Sequence, residues 1–368
     1  MMMSSRERVR RSISFQEVDI TPIDFGGTVV TSVGTTLHKR IREKLGVHDE
    51  DRVIDYSMGT VQVSRAVSSY LHSDVIRVGM NIIPPEIVDG EYIGGFGMRY
   101  RNAYPHEYYD VCVYPMAEDT DLNHLQLPDP AIPALYEGLR ERAKDLYENS
   151  EYAIFADFGI PGFYETGQKL RGYENFACDL LLNQAFVKDL YDRLLDLQKR
   201  WFKMYLSQVG GYAEVVGYAD DLGMQDRLQI SPDTYRSIIK PYHKEIFDFI
   251  HGEADIKIML HSCGDNSLII DDLVEAGVDI LNPLQTSARN MDPGILAPAY
   301  KGKIAFWGGF DIQQKLPNGT KEEIFQEAKY LMDSFERSGY VFAPSHNIQY
   351  DTPVENILYM YEAAEKYR

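Results

Sequence analysis

The stretch Lys257-Ile258-Met259-Leu260-His261-Ser262-Cys263-Gly264-Asp265 sets the reading of the chain. A short apolar run gives way at once to polar residues and a glycine. Runs of this kind suit strands buried on both faces. The strand predicted over 256–261 therefore delivers His261 and Cys263 where the chain leaves it. An imidazole nitrogen and a thiolate two residues apart can turn to one side and hold Zn²⁺. A buried thiol and a core histidine beside a turn fit the same letters, and both readings stand at this point.

Working outward, seven more runs read as strands, near 21–26, 74–80, 152–158, 213–219, 278–283, 303–308 and 340–345. Helical patterns separate most of them. Residues 35–50 carry Leu37, Ile41 and Leu45 at helical spacing with Gly46 as a stop. Residues 60–72, 131–147, 174–208, 266–276 and 353–367 read as further helices. Ser231-Pro232-Asp233 opens another, with an N-cap and a proline in the first turn. Thr320 opens one that Gly339 closes. Strands alternating with helices imply parallel βαβ units, and eight such units imply an α/β fold of the (β/α)₈ TIM-barrel kind. A doubly wound open sheet is the alternative, but no glycine-rich phosphate fingerprint follows the first strand. All 368 residues are taken as one barrel domain. Residues 84–130, rich in Pro, Gly, Tyr and Asp, form an excursion after the second strand, read as a small hairpin and a lid.

The net charge is −19, which argues against nucleic acid and anionic membrane as partners. Three cysteines, Cys112, Cys178 and Cys263, make no disulfide framework and point to a reducing, cytoplasmic setting. The basic start has no apolar segment behind it, and no run is long enough to span a bilayer.

A barrel gathers its strand ends at one mouth. Those ends carry Asp24, Asp157, Asp220, Asp221, His261, Cys263, Asn282, Gln285, Trp307, Asp311 and His346. His346, at the end of the last strand, is a candidate third ligand beside His261 and Cys263. A His₂Cys set leaves a fourth position open, the mark of a catalytic zinc. Asp220 or Asp221 could fill it at rest, or the two could share acid–base work. Asp24 and Asp157 carry the same ambiguity between chemistry and capping. Asp157, Asn282, Gln285 and Trp307 are expected to meet substrate. The tyrosines of 92–114 either line a pocket for a flat substrate or form the excursion's own small core.

Five stretches carry a resemblance: PIDFGGTVVTSVG (22–34), QKLRGYENFACDLL (168–181), DDLGMQDRLQISPDTYRSIIKPYHKEIF (220–247), HSCGDNSLIIDDLVEAGVDILNPLQ (261–285) and APSHNIQYDTPVENI (343–357). Together they resemble the uroporphyrinogen decarboxylase superfamily and, within it, the corrinoid-linked methyltransferases. Members are (β/α)₈ barrels, in accord with the strand count. The decarboxylases carry an arginine-rich N-terminal motif, whereas TPIDFGGTVV here has no arginine. They also lack His-x-Cys at the end of the fifth strand, which the methyltransferases have and which there binds zinc. In those methyltransferases the third ligand is typically a Cys in a Pro-Gly-Cys-Gly-like turn. This chain departs from that pattern with Pro344-Ser345-His346-Asn347. The decarboxylases also have His at this place.

The resemblance implies zinc on His261, Cys263 and His346, with an acid among Asp220, Asp221 and Asp24 as fourth ligand or proton donor. It implies methyl transfer from a small methylated, methoxy-aromatic substrate to the Co(I) of a corrinoid carried by a partner protein. Exchanging Cys for His makes the metal a stronger Lewis acid, suited to pulling on an ether oxygen. Thiol methylation, uroporphyrinogen decarboxylation and a non-catalytic corrinoid- or metal-binding barrel are the rival readings. A homodimer is kept as an option for the assembly.

Overall fold

The computed structural model describes residues 2–103, 107–157 and 159–368. Phe158, at the end of the third predicted strand, and Tyr104, among the excursion's tyrosines, lie outside the described residues.

Seven strands form one parallel sheet. In chain order they are Val75–Gly79, Ala153–Asp157, Val215–Ala219, Lys257–His261, Ile280–Asn282, Ala305–Trp307 and Tyr340–Val341. The segment 22–24 joins the two edges of this sheet. Ile23 pairs in parallel with Phe342 on one side, while its carbonyl accepts the Asp74 N–H at 2.7 Å on the other. The eight positions expected from the sequence are therefore all present, and the sheet closes as a (β/α)₈ barrel. The first stave is a single bridge, and the rest are two to five residues long.

Strand side chains alternate between two faces. Along Lys257–His261, Ile258 and Leu260 pack outward under the helices, whereas Met259 points into the barrel. There it meets Val75, Phe155, Val215, Ile280 and Trp307, each contributed by a different strand. Each such side chain contributes roughly 1.5–3 kcal/mol by leaving water. Val9 and Ile13 of the helix Ser5–Ile13 belong to the same inner cluster, so this helix plugs one end of the barrel. Its Arg8 is buried against Asp74 at 2.5 Å and Asp19 at 2.9 Å, which orients the plug.

Several helices differ from their predicted bounds. The segment 60–72 begins as a short strand, Thr60–Val61, and only Arg65–Tyr70 is helical, because Ser64 supplies the N-cap. The helix expected over 131–147 starts late, at Leu139–Asn149, after Pro133 has imposed a separate turn. The 174–208 region is two helices, Tyr173–Leu182 and Gln184–Val209, parted at Asn183. The helix Lys321–Phe335 ends through a left-handed Glu336 rather than at Gly339. The excursion is a three-stranded antiparallel sheet, Glu91–Ile93, Arg99–Asn102 and Tyr109–Val113, rather than one hairpin. Tyr92 stacks on Tyr100 at 4.9 Å and meets Tyr109 edge-on at 5.1 Å, forming the sheet's own core. Among the described residues no helix is long and apolar enough to cross a membrane.

Candidate metal centre at the barrel mouth

His261 ends the fifth strand, Cys263 lies two residues beyond it, and His346 follows the eighth. One ligand atom from each lies within 4.8 Å of the others. Cys263 Sγ is 3.4 Å from His261 Nε2, and the two imidazole rings are 5.1 Å apart. The surroundings determine the tautomer of His261. Asn282 Nδ2 donates to the Trp307 carbonyl at 3.0 Å, so its Oδ1 faces His261 Nδ1 as an acceptor, at 2.6 Å. Nδ1 must therefore carry the proton, and Nε2 presents a lone pair toward Cys263. Metal-ligating histidines are oriented by second contacts of this kind. The donor set, separations and tautomer fit a zinc ion.

Burial, and then the neighbouring His261, push the His346 imidazole down to about 4, which keeps it neutral and able to ligate. Burial, followed by Asp221 and Glu165, pushes the Cys263 thiol well up. A bound cation reverses that preference, since a coordinating thiol is deprotonated outright.

Cys263 is held by its backbone. Its N–H donates to Asp221 Oδ1 at 2.7 Å, and the next N–H, of Gly264, donates to Gln285 Oε1, also at 2.7 Å. Gly264 has φ +87°, and a Cβ there would lie 2.5 Å from the Met224 backbone nitrogen. Two loops thus cross at van der Waals contact, and only glycine fits. Asp221 Oδ1 is also 4.0 Å from His261 Nε2, so this carboxylate faces two of the three predicted ligands, His261 and Cys263.

The remaining predicted site residues separate into two groups. Asp157 and Asp221 line the cavity whose wall also holds His261 and His346. Asp220, beside Asp221 in sequence, is fully buried on the opposite side. It accepts the N–H groups of Tyr164 (3.1 Å) and Glu165 (2.8 Å) at the start of the helix Phe163–Arg171 and meets His243 Nε2 at 2.9 Å. Asp220 is thus a helix anchor. Asp24 is equally buried and accepts from Gly27 N–H, the Thr31 hydroxyl and Trp307 Nε1 at 2.8–2.9 Å. Burial outweighs these three donors and raises it to about 6. Asn282, Gln285 and Trp307, expected to touch substrate, bond to His261, the Cys263 loop and Asp24 respectively.

The cavity has a volume of about 970 Å³. His261 and His346 lie in its wall beside Phe155, and the tyrosines Tyr100, Tyr114 and Tyr173 contribute aromatic surface. Sequence reading missed Glu165 and Lys169, which also line it. They are four apart on the helix Phe163–Arg171 and pair at 2.9 Å. Their i,i+4 spacing is the signal that could have found them. Burial raises the Glu165 carboxyl, aided by Asp221 and opposed by Lys169. For Lys169 burial works downward, but Glu165 and Tyr100 prevail and hold the ammonium charged. Asp157 takes the Arg77 guanidinium at 2.5 Å and the Val29 N–H at 2.9 Å.

Residues 107–367 match the family described as Uroporphyrinogen decarboxylase (URO-D). The uroporphyrinogen decarboxylase of Thermus thermophilus is 24% identical over 243 residues, 65% of this chain and 66% of that protein. The alignment thus spans just under two thirds of that relative's length. The methylated-thiol–coenzyme M methyltransferase of Methanosarcina mazei is 23% identical over 128 residues, 35% of this chain and 32% of that protein. Among solved structures, a methyltransferase from Methanosarcina mazei shares the fold, with a TM-score of 0.72 at 16% identity over 99% of both chains. The chain belongs to the uroporphyrinogen decarboxylase (URO-D) family.

Proposed function

We propose that the protein is a zinc-dependent methyltransferase that moves a methyl group from a small methylated substrate to the Co(I) of a separate corrinoid protein. The favoured donor is a methoxy-aromatic compound. One observation carries this reading: His261, Cys263 and His346 cluster together, and both histidines lie in the wall of an aromatic-lined cavity. The partial similarity to a methyltransferase acting on methylated thiols supports the reaction class.

Zinc held by these three side chains would supply Lewis acidity at the substrate's ether oxygen. Two neutral imidazoles and one thiolate make a less negative donor set than two thiolates and one imidazole, which favours pulling on oxygen. Phe155 and the cavity tyrosines would take the faces of the arene ring. Asp221 positions Cys263 and serves as a fourth donor or as a proton holder. Glu165, whose carboxyl is raised by burial, pairs with Lys169 in the same cavity. In the transfer the substrate's O–CH₃ bond would break with the methyl group passing to the partner's corrinoid, and the leaving oxygen would keep the bond's electron pair and take a proton from an acid of the cavity. The corrinoid protein would dock at the mouth, because cobalt must approach the methyl carbon in line with the leaving oxygen.

The decarboxylase branch acts on a tetrapyrrole rich in carboxylates. Such a substrate would meet Asp55, Asp110, Asp157, Glu165, Asp221 and Asp351 around this cavity, and Lys169 is already paired with Glu165. That charge pattern favours the methyltransferase. The same reading takes residues 1–368 as one barrel domain, with 84–130 as a lid, working in the cytoplasm.

The test is metal content together with methyl transfer from a methoxy-arene to Co(I) corrinoid protein, for wild type, His261→Ala and Cys263→Ala. Zinc at one equivalent, and transfer lost in both variants, is expected. Transfer that survives in both metal-free variants sinks the proposal. Turnover of a thiol acceptor or of uroporphyrinogen points to the other enzyme readings, and corrinoid-protein binding without turnover points to a carrier.

A further inference from the structure

A second cavity, of about 440 Å³, lies outside the barrel wall. Its floor is the strand Val75–Gly79. One side is the segment 49–68, and the other is the helix Leu139–Asn149. Four arginines, Arg52, Arg65, Arg77 and Arg142, are among the residues that line it. A chain of net charge −19 has gathered these cations around one small space, at a cost in mutual repulsion.

The partners of these arginines are incomplete. Arg142 donates to the Glu137 carbonyl at 3.0 Å and to Asn81 Oδ1 at 2.9 Å, both neutral acceptors. Arg77 uses Nε on Asp157. Among the described residues, Arg52 and Arg65 make no ion pair. Three carboxylates, Asp49, Glu50 and Asp145, share the lining, but all are exposed and none forms an ion pair with these arginines. Burial, and then the charges of Arg52 and Arg77, push Arg142 below its ordinary value. Val63, Ile76, Val78 and Leu146 add an apolar surface beneath the charges.

We propose that this cleft binds a small phosphate ester, its phosphate held by Arg52, Arg65 and Arg142 and its apolar body on the strand floor. A carboxylate is satisfied by one forked guanidinium, whereas a phosphate dianion offers oxygens to several. The site is separate from the methyl-transfer cavity, yet one ion pair joins them. Arg77 lines the cleft, and its partner Asp157 lines the other cavity.

Isothermal titration of the full chain with phenyl phosphate tests this, with inorganic phosphate and benzoate as comparators. Saturable binding is expected, tighter for phenyl phosphate than for either comparator. Arg52→Gln with Arg65→Gln, both on exposed side chains that folding does not need, should weaken it about tenfold or more. Arg142→Gln should do the same, and Cys263→Ala should leave it unchanged. No saturable binding at millimolar phenyl phosphate overturns the proposal. So does binding that survives all three arginine substitutions, or that disappears in Cys263→Ala, which would place the ligand in the other cavity. Because the readout is binding alone, it is independent of whether methyl transfer occurs.

Discussion

Replacing Asn282 tests the metal centre without touching a ligand. Its side chain makes two bonds, accepting from His261 Nδ1 at 2.6 Å and donating to the Trp307 carbonyl at 3.0 Å. Asn282→Ala removes both. His261 then loses the acceptor that keeps its proton on Nδ1, and the imidazole becomes free to turn. Second contacts of this kind typically account for ~10–100-fold in metal affinity, or roughly 1.4–2.7 kcal/mol. The Trp307 carbonyl keeps the Leu284 N–H at 3.3 Å, so losing the Asn282 bond costs the metal-free protein only about 0.5–1.5 kcal/mol more. Asn282→Asp separates the two effects. A carboxylate still accepts from Nδ1 and strengthens the imidazole as a donor, but it faces the Trp307 carbonyl with oxygen against oxygen. The Asp variant is therefore expected to keep zinc affinity while losing stability, and the Ala variant to lose both. Competition with a chromophoric zinc chelator gives the affinities, and thermal unfolding of the metal-free proteins gives the stabilities. If Asn282→Ala holds zinc within about twofold of wild type, or if both variants lose affinity equally, the tautomer argument is wrong.

Three further outcomes are expected. Gly264→Ala forces a Cβ against the Met224 backbone at a left-handed φ, so thermal unfolding should show a loss of more than ~1–3 kcal/mol and zinc binding should weaken as the Cys263 loop shifts. Asp220→Ala strips the anchor from the helix Phe163–Arg171 and leaves His243 without its carboxylate, costing ~3–5 kcal/mol, whereas zinc affinity measured below the melting temperature should not change; a large drop in zinc affinity would return Asp220 to the site. Asp24, raised from 3.8 to about 6 mainly by burial, binds its proton more tightly in the folded state, so its contribution is fully present below pH 4 and is lost as pH rises through 6. That contribution is at most ~3 kcal/mol. Urea unfolding of wild type and Asp24→Asn at pH values between 4 and 7 should show the decline in wild type alone, and parallel curves would refute it.

Much of this architecture could be read from local patterns. Buried strands are short apolar runs ended by polar residues, and this held for Lys257–His261 and for the other staves, including the one around Ile23 that survives as a single bridge. His261 and Cys263 were legible as a pair because two residues at one strand end need no long-range information. Helix starts were less legible. A Ser64 cap and the turn at Pro133 moved two of them by several residues, since competing local hydrogen bonds decide where a helix begins.

What the amino-acid order alone determined is the set of strands and the chemical types at their ends. Which of those side chains meet was decided by tertiary packing. Asp220 and Asp221 are adjacent and identical in type, yet one anchors a helix and the other faces the ligands, because successive residues leaving a strand point to opposite sides. Asn282 and Trp307 read as substrate contacts, but neighbouring strands place them beside His261 and Asp24, where their hydrogen bonds are used up. His346 comes within 4.8 Å of His261 and Cys263 only because closure of the barrel through Ile23 sets the eighth strand's end against the fifth strand's mouth. Sequence spacing carries no record of that distance, which depends on the curvature of a sheet built by the whole chain.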